Sequence, residues 1–357
     1  MRRALVVSDP GVSGAGIVDV VAGSIRAAGI EAIVYAETRP NPTTTNVAEA
    51  VALWHEHGCD GIVGLGGGSS MDAAKGAGIV AANGGAVADY TGREQVPRDL
   101  PPLICLPTTC GTGSEVTFNA VITDADRHLK LPYVSRRLAP GVALVDPALV
   151  ELAPPAVIAA TGADALAHAV ESYINLAANP LLDAINLGAI RLIGRHLRAA
   201  VAVREPGAID HMALASTMAG IAFNMNANAI VHAASTPVTA RYDVPHGVAN
   251  AVFMPAGLAF CLPTSAKRLG EVAEALGENV TALPEHERGE RGVEAVRTLL
   301  ADVGMPGSLR ELGVDAGDFE RNLPGMVEDA MRSRSIPLNP RPITPADLEQ
   351  LYRVVLG

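Results

Sequence analysis

The sequence predicts two domains of different class: an α/β N-terminal domain with a mainly parallel sheet, then an all-α C-terminal domain. Three observations lead there. Short apolar runs alternate with helical segments as far as Val145, strand-like runs stop after Asp146-Pro147, and the rest reads as successive helices rich in Ala, Leu, Ile and Met. Such alternation implies helices on both faces of a parallel sheet. At 357 residues the chain is long enough for two full cores, and 49% hydrophobic against 18% charged residues marks a packed globular protein. The boundary falls near Ala148–Pro155, giving domains 1–150 and 151–357.

In order, Ala4–Ser8 is a short apolar strand, and Ala15–Ala28 a helix carrying Ile17, Val20, Val21 and Ile25. Glu31–Ala36 is a strand and Asn46–His57 a helix. Gly61–Leu65 is a buried strand running into Gly66-Gly-Gly-Ser-Ser70, and Met71–Asn83 continues as helix. Leu103–Leu106, Asn119–Thr123, Leu129–Tyr133 and Val142–Val145 complete the sheet. Beyond the boundary the expected helices are Pro155–Thr161, Asp164–Asn175, Pro180–Val201, Asp210–Asn224, Ala229–Ala234, Gly247–Phe260 and Ser265–Leu276. Gly292–Val303, Ser308–Leu312, Gly317–Asp329 and Thr344–Val355 follow, and the charge-rich stretch Leu283–Gly292 reads as a solvated loop.

The net charge of −11 argues against nucleic acid or an anionic membrane as partner. The apolar run after Arg2-Arg3 ends at Val7, too short for a signal peptide, and no uninterrupted apolar stretch reaches membrane-spanning length. Cys59, Cys105, Cys110 and Cys261 show no metal or disulfide spacing, which fits free thiols in a reducing cytoplasm.

Two loops carry nucleotide chemistry. Strand–Gly66-Gly67-Gly68-Ser69-Ser70–helix lets backbone approach an anion at a helix N-terminus, although it is neither GxGxxG nor a Walker A loop. Pro107-Thr108-Thr109-Cys110-Gly111-Thr112-Gly113 follows the next buried strand, and its hydroxyls can donate to phosphate or ribose oxygens. Ligands bind at the carboxyl ends of parallel strands. Metal-type residues lie in the helical half. Asp164 and His168 sit one turn apart on one helix face, and His232 and His246 follow in apolar surroundings. One carboxylate and three imidazoles suit Fe(II) or Zn. His55, His57, His128, His196, His211 and His286 read as surface or structural residues, Cys110 as a small loop residue, and Lys75 as structural.

Gly66-Gly-Gly-Ser-Ser-Met-Asp-Ala-Ala-Lys75, Pro107 to Thr117, Thr161-Gly-Ala-Asp-Ala-Leu-Ala-His168 and Pro245-His-Gly-Val-Ala-Asn250 resemble the iron-containing (group III) alcohol dehydrogenases, in order over nearly the whole chain. The resemblance implies a Rossmann-like NAD(P)-binding domain and an all-helical metal domain, the architecture shared with dehydroquinate synthase. It implies Asp164, His168, His232 and His246 as catalytic metal ligands, and Gly67, Gly68 and Ser69 as the pyrophosphate site. Thr108, Thr109, Thr112, Thr117, Asn119 and Lys130 would line the adenosine and nicotinamide parts, with Asn41 near the adenosine ribose. The implied activity is hydride transfer between nicotinamide and a small alcohol or aldehyde carbon, assisted by a Lewis-acid cation.

Three departures from the family pattern matter. The chain starts at the first strand, without the family's extra N-terminal strand and hairpin, so the expected homodimer loses a common contact. Ala36 stands where NAD-preferring members carry Asp, and Arg39 lies close, which favours NADP(H) although Glu37 opposes it. Thr236 replaces a second His after His232, which removes an obvious proton relay. Alternatives are a reductase of anionic aldehydes or keto acids of the maleylacetate type, using Arg241, Arg332, Arg334 or Arg341, a dehydroquinate synthase-like lyase, and a catalytically silent nucleotide-binding protein.

Overall fold

The computed structural model describes residues 1–127 and 129–357, so the reading of His128 lies outside the described residues. The chain divides into two compact units, Met1–Ala153 and Pro154–Gly357.

In the first unit β1 (Arg3–Val7), α1 (Pro10–Gly14), α2 (Ile17–Ala27), β2 (Glu31–Tyr35), α3 (Thr44–His57), β3 (Gly61–Gly66) and α4 (Gly68–Asn83) alternate along the chain. They are followed by β4 (Gly92–Arg93), β5 (Leu103–Pro107), β6 (Asn119–Asp124), β7 (Leu129–Val134), β8 (Val142–Ala143) and α5 (Pro147–Val150). Five strands form a parallel sheet in the order β2-β1-β3-β5-β8. Strand β3 is buried along its whole length, as expected of a strand covered on both faces. The order reverses between β1 and β3, so the carboxyl ends of these two strands open a crevice for a ligand.

One expectation needs correction here. Strands β6 and β7 do not complete the parallel sheet; they pair antiparallel and, with β4, form a separate three-stranded sheet. The link between Asp124 and Leu129 is too short for the crossover a parallel pair requires. Lys75 ties this second sheet to α4. Its Nζ is fully buried and donates to the carbonyls of Ser114 (2.8 Å), Thr117 (3.0 Å) and Asn119 (2.8 Å) and to the Ser114 and Thr117 hydroxyls. Asp72 completes the junction, accepting from Ser114 Oγ and the Val121 N–H at 2.9 Å each.

The second unit is helical: α6 (Pro155–Ile174), α7 (Pro180–Ala202), α8 (Pro206–Asn226), α9 (Ile230–Tyr242), α10 (His246–Leu276), α11 (Glu285–Asp302), α12 (Ala316–Met331) and α13 (Pro345–Leu356). The two helices expected over 155–175 are one. Gly162 sits inside it, where a Cβ would lie 2.4 Å from Leu197 Cδ1 on α7. The solvated loop expected at Leu283–Gly292 is instead the start of α11. Pro284 precedes it, Glu285 and Glu287 complement its N-terminal dipole, and Gly289 and Gly292 let it press on α10, where a Cβ on Gly292 would fall 2.1 Å from Leu269 O. Helix α10 spans 31 residues with the break expected at Ser265 (φ −129°). By length and composition it is apolar enough to cross a membrane, although polar residues interrupt its apolar runs. Much of it packs against α6, α7, α9 and α11 as the central helix of the unit, with Phe253, Met254, Leu258 and Leu269 fully buried.

Replacing Lys75 with Met strands its acceptors and leaves Asp72 without a nearby cation. The expected loss is on the order of 3 kcal/mol of stability, read as a lower unfolding midpoint in urea.

Candidate active site

In the first unit the two sequence-predicted loops meet. The first three N–H groups of α4 are those of Gly68, Ser69 and Ser70, and the N-cap Gly67 has no side chain to cap them. Gly66 turns the chain at φ +143°, a conformation favouring glycine, and a Cβ there would strike Ser70 Oγ at 2.5 Å. A Cβ on Gly68 would lie 2.9 Å from the Thr112 methyl, and one on Gly67 would lie 3.5 Å from the Thr109 methyl. Thr112 therefore closes over bare backbone at Gly68, where a side chain would collide, while at Gly67 the contact with Thr109 is an ordinary one. The Thr108 N–H donates to Gly66 O at 3.0 Å and locks the loops together.

The other predicted cofactor residues lie elsewhere. The Thr117 side chain is buried and accepts from Lys75, and Asn119 opens β6 with its carbonyl on the same ammonium, so both brace the loop from behind. Lys130 faces Thr123 across the β6–β7 ladder, and the Thr123 N–H donates to Pro42 O at 2.7 Å, which brings the hairpin beside Asn41 (φ 55°). Sequence reasoning missed Asp9. It follows β1 at the crevice, caps α1 through the Val12 N–H (3.0 Å), and accepts from Ser70 Oγ (2.8 Å). Its position one residue past the strand-ending Ser8 was the available signal.

In the second unit α6, α9 and α10 bring together the four metal-type residues. Asp164 Oδ1 stands 4.0 Å from His168 Nε2, 3.7 Å from His232 Nε2 and 3.8 Å from His246 Nε2. Ligand atoms bound at about 2.1 Å around one tetrahedral ion stand roughly 3.4 Å apart, so the spacing fits a slightly open cation site. Asp164, His168 and His232 are buried and form a compact triad of potential ligands. The His246 side chain, 40% exposed, is the open side. His168 stacks on Phe223 at 4.0 Å and on His232 at 4.7 Å, which fixes its plane. His246 reaches the group because α10 starts against α6: a Cβ on Gly247 would fall 2.1 Å from Ala160 O.

Two further side chains belong to this group. Glu171 accepts from His232 Nδ1. A carboxylate only accepts, so Nδ1 carries a proton and Nε2 is the ring nitrogen turned toward Asp164. Asn250 accepts from Ser235 Oγ, which turns its amide nitrogen inward. That nitrogen lies 2.7 Å from Asp164 Oδ1, 3.1 Å from His232 Nε2 and 3.2 Å from His246 Nε2. The Asp164 oxygen and these two imidazole nitrogens thus converge where a positive charge is called for. Burial disfavours the Asp164 anion, but His168, His246 and His232 outweigh it and hold the carboxyl well below the usual range. Burial likewise disfavours charge on His232, yet Glu171 and Asp164 push its imidazole up to about 9. Both residues were within reach of the sequence, Glu171 at i+7 from Asp164 and Asn250 at i+4 from His246, on the ligand faces of their helices.

Other candidates are engaged differently. Thr236 Oγ donates to His232 O (2.7 Å), back along its own helix, so its proton is committed. Arg241 pairs with Asp329 and Asn322, Arg332 with Glu328 and Asp329, and Arg341 lies over the Phe260 ring and donates to its carbonyl. Three of the four arginines behind the anionic-substrate alternative are thus engaged with protein groups, while Arg334 is exposed.

A cluster of potential metal ligands and a glycine loop at a helix N-terminus are parts that a metal- and dinucleotide-dependent oxidoreductase would need. Comparison with known proteins gives the same class. The iron-containing alcohol dehydrogenase model matches residues 1–147, and the C-terminal model of the Fe-containing alcohol dehydrogenase family matches residues 158–356. The chain is 41% identical to 1,3-propanediol dehydrogenase of Klebsiella pneumoniae over 99% of its own length and 91% of that protein's. It is 39% identical to NAD-dependent methanol dehydrogenase of Bacillus methanolicus, covering 99% and 92%. The crystal structure of a 1,3-propanediol oxidoreductase superposes with a TM-score of 0.95 at 40% identity, covering 99% of this chain and 91% of that one. The chain belongs to the iron-containing alcohol dehydrogenase family, and is a metal-dependent, nicotinamide-linked oxidoreductase acting on CH–OH groups. The lyase and silent-protein alternatives fall away.

Ala227 carries backbone strain beside this site. It joins α8 to α9 at φ 65°, ψ −174°, a region tolerated by glycine, while Asn175 Nδ2 holds its carbonyl at 2.8 Å. Replacing Ala227 with Gly is expected to stabilise the protein by about 1 kcal/mol, seen as a higher thermal midpoint with unchanged far-UV circular dichroism.

Proposed function

We propose that this chain interconverts small primary or secondary alcohols and their carbonyl counterparts, with Asp164, His168, His232 and His246 holding Fe(II) or Zn. The observation that carries this reading is the convergence of Asp164 Oδ1 and three imidazole Nε2 atoms within 4.0 Å of that oxygen. When bound, the cation supplies Lewis acidity toward the substrate oxygen, and the nicotinamide gives or takes the hydride. The protein's part is placement. Gly67, Gly68, Ser69, Thr109 and Thr112 bind the pyrophosphate, Phe223 and Glu171 fix the planes of His168 and His232, and Asn250 steadies Asp164. His246 marks the side from which substrate enters. With Thr236 committed to His232 O, the alkoxide proton is supplied by a ribose hydroxyl or water.

On the coenzyme, Ala36 and exposed Arg39 leave room and charge for a 2′-phosphate, while the carboxylates of Glu37 and Asp9 act against it. The reading is use of both NAD(H) and NADP(H). The cytoplasm is the proposed compartment, supported by four buried cysteines that form no disulfide among the described residues. A homodimer is the proposed assembly, supported only by the family resemblance.

Chelation is expected to abolish NAD(P)-linked oxidation of a short alcohol, and Fe(II) or Zn to restore it. Asp164→Asn should lose about three orders of magnitude in kcat/KM and retain no cation by elemental analysis. Wild-type turnover in fully metal-free protein would refute the assignment. Ala36→Asp should lower kcat/KM for NADPH about tenfold or more and leave NADH within about twofold; equal effects on both coenzymes would contradict the placement of Ala36.

A further inference from the structure

Helix α9 carries a ligand but lacks a cap of its own. Ala229, at its N-cap, offers no side-chain acceptor. The cap comes from outside the helix. Glu171 Oε1, on α6, accepts the Val231 N–H at 2.6 Å, and Oε2 accepts the His232 N–H at 3.2 Å together with His232 Nδ1. Asn339 Oδ1 takes the Ile230 N–H at 3.2 Å. Glu171 is fully buried, and three N–H donors meet its two oxygens in place of water. Its position also matters. It stands on the same helix as Asp164 and His168, seven and three residues further on, so one rigid helix supplies two ligands and the clamp on a third.

We propose that Glu171 is the positioning residue of the metal centre: it holds His232 by both backbone and ring, so that Nε2 points at Asp164 before any cation arrives. This rests on the ligand reading above. A carboxylamide cannot take the same place, because it presents an NH2 group to one of three donors that now meet two oxygens. A neutral side chain also withdraws one negative charge from beside the ligands. Carboxylates behind a ligating imidazole fix its tautomer and raise its basicity, and their loss costs metal affinity.

The test is Zn affinity, measured by competition with a chromogenic chelator, and the ligand-field spectrum of the Co(II) form, for wild type, Glu171→Gln and Glu171→Asp. The expected result is a folded Glu171→Gln protein that binds Zn about 10–100-fold more weakly, with an altered Co(II) spectrum and lower kcat but unchanged KM for NAD(H). Glu171→Asp, which keeps the charge but withdraws it by one methylene, should fall between. Wild-type affinity and an unchanged spectrum in either folded variant would overturn the proposal. So would loss of folding in both, which assigns Glu171 to folding alone. Wild type that binds no cation at all would refute the ligand reading instead, so the two failures are distinguishable.

Discussion

The helical unit is organised around one electrostatic demand: Asp164 and the Nε2 atoms of three histidines are turned toward each other, and Asp164, His168 and His232 are buried, where acceptors without a cation are costly. That demand explains local choices which otherwise look unfavourable. Gly247 lets α10 start against α6, Ala227 accepts a strained backbone just before α9, and Glu171 places a full negative charge inside an apolar helix bundle. Each is a departure from stable local chemistry, of the kind that gathers where function requires it.

The first unit solves a different problem with backbone rather than side chains. In the proposed reading an anion would be met by the uncapped N-terminus of α4, with Thr109 and Thr112 beside Gly67 and Gly68. The load is carried behind the loop by Lys75, whose ammonium binds three carbonyls and two hydroxyls. Its charge is directed into the scaffold and holds Thr117 and Asn119 as braces. Asp9 places a carboxylate at the reversal in strand order, hydrogen-bonded to Ser70 in the first turn of α4.

What the sequence made legible was local. The glycine loop after β3, the threonine loop after β5, and the Asp164–His168 pair were readable because each is a short motif whose geometry follows from strand, turn or helix periodicity. The meeting of His232 and His246 with that pair was legible by resemblance. What escaped depends on contacts between distant segments. The three-stranded sheet was merged with the parallel one because alternating apolar residues do not record pairing direction. The start of α11 was read as loop because its charges face solvent, while Gly289 and Gly292, which look like breakers, are the residues that touch α10. Glu171 and Asn250 shared faces with predicted ligands, yet their partners, the N–H groups at 231–232 and the Ser235 hydroxyl, appear only once α9 is packed.

The central claim is that these four side chains bind one cation directly. X-ray absorption at the metal K edge of the purified protein tests it most directly. The account predicts a single first shell of nitrogen and oxygen atoms near about 2.1 Å, with the outer-shell scattering of three imidazoles, which disappears in Asp164→Asn. A sulfur shell, a shell of water alone, or an unchanged signal in that variant would contradict it.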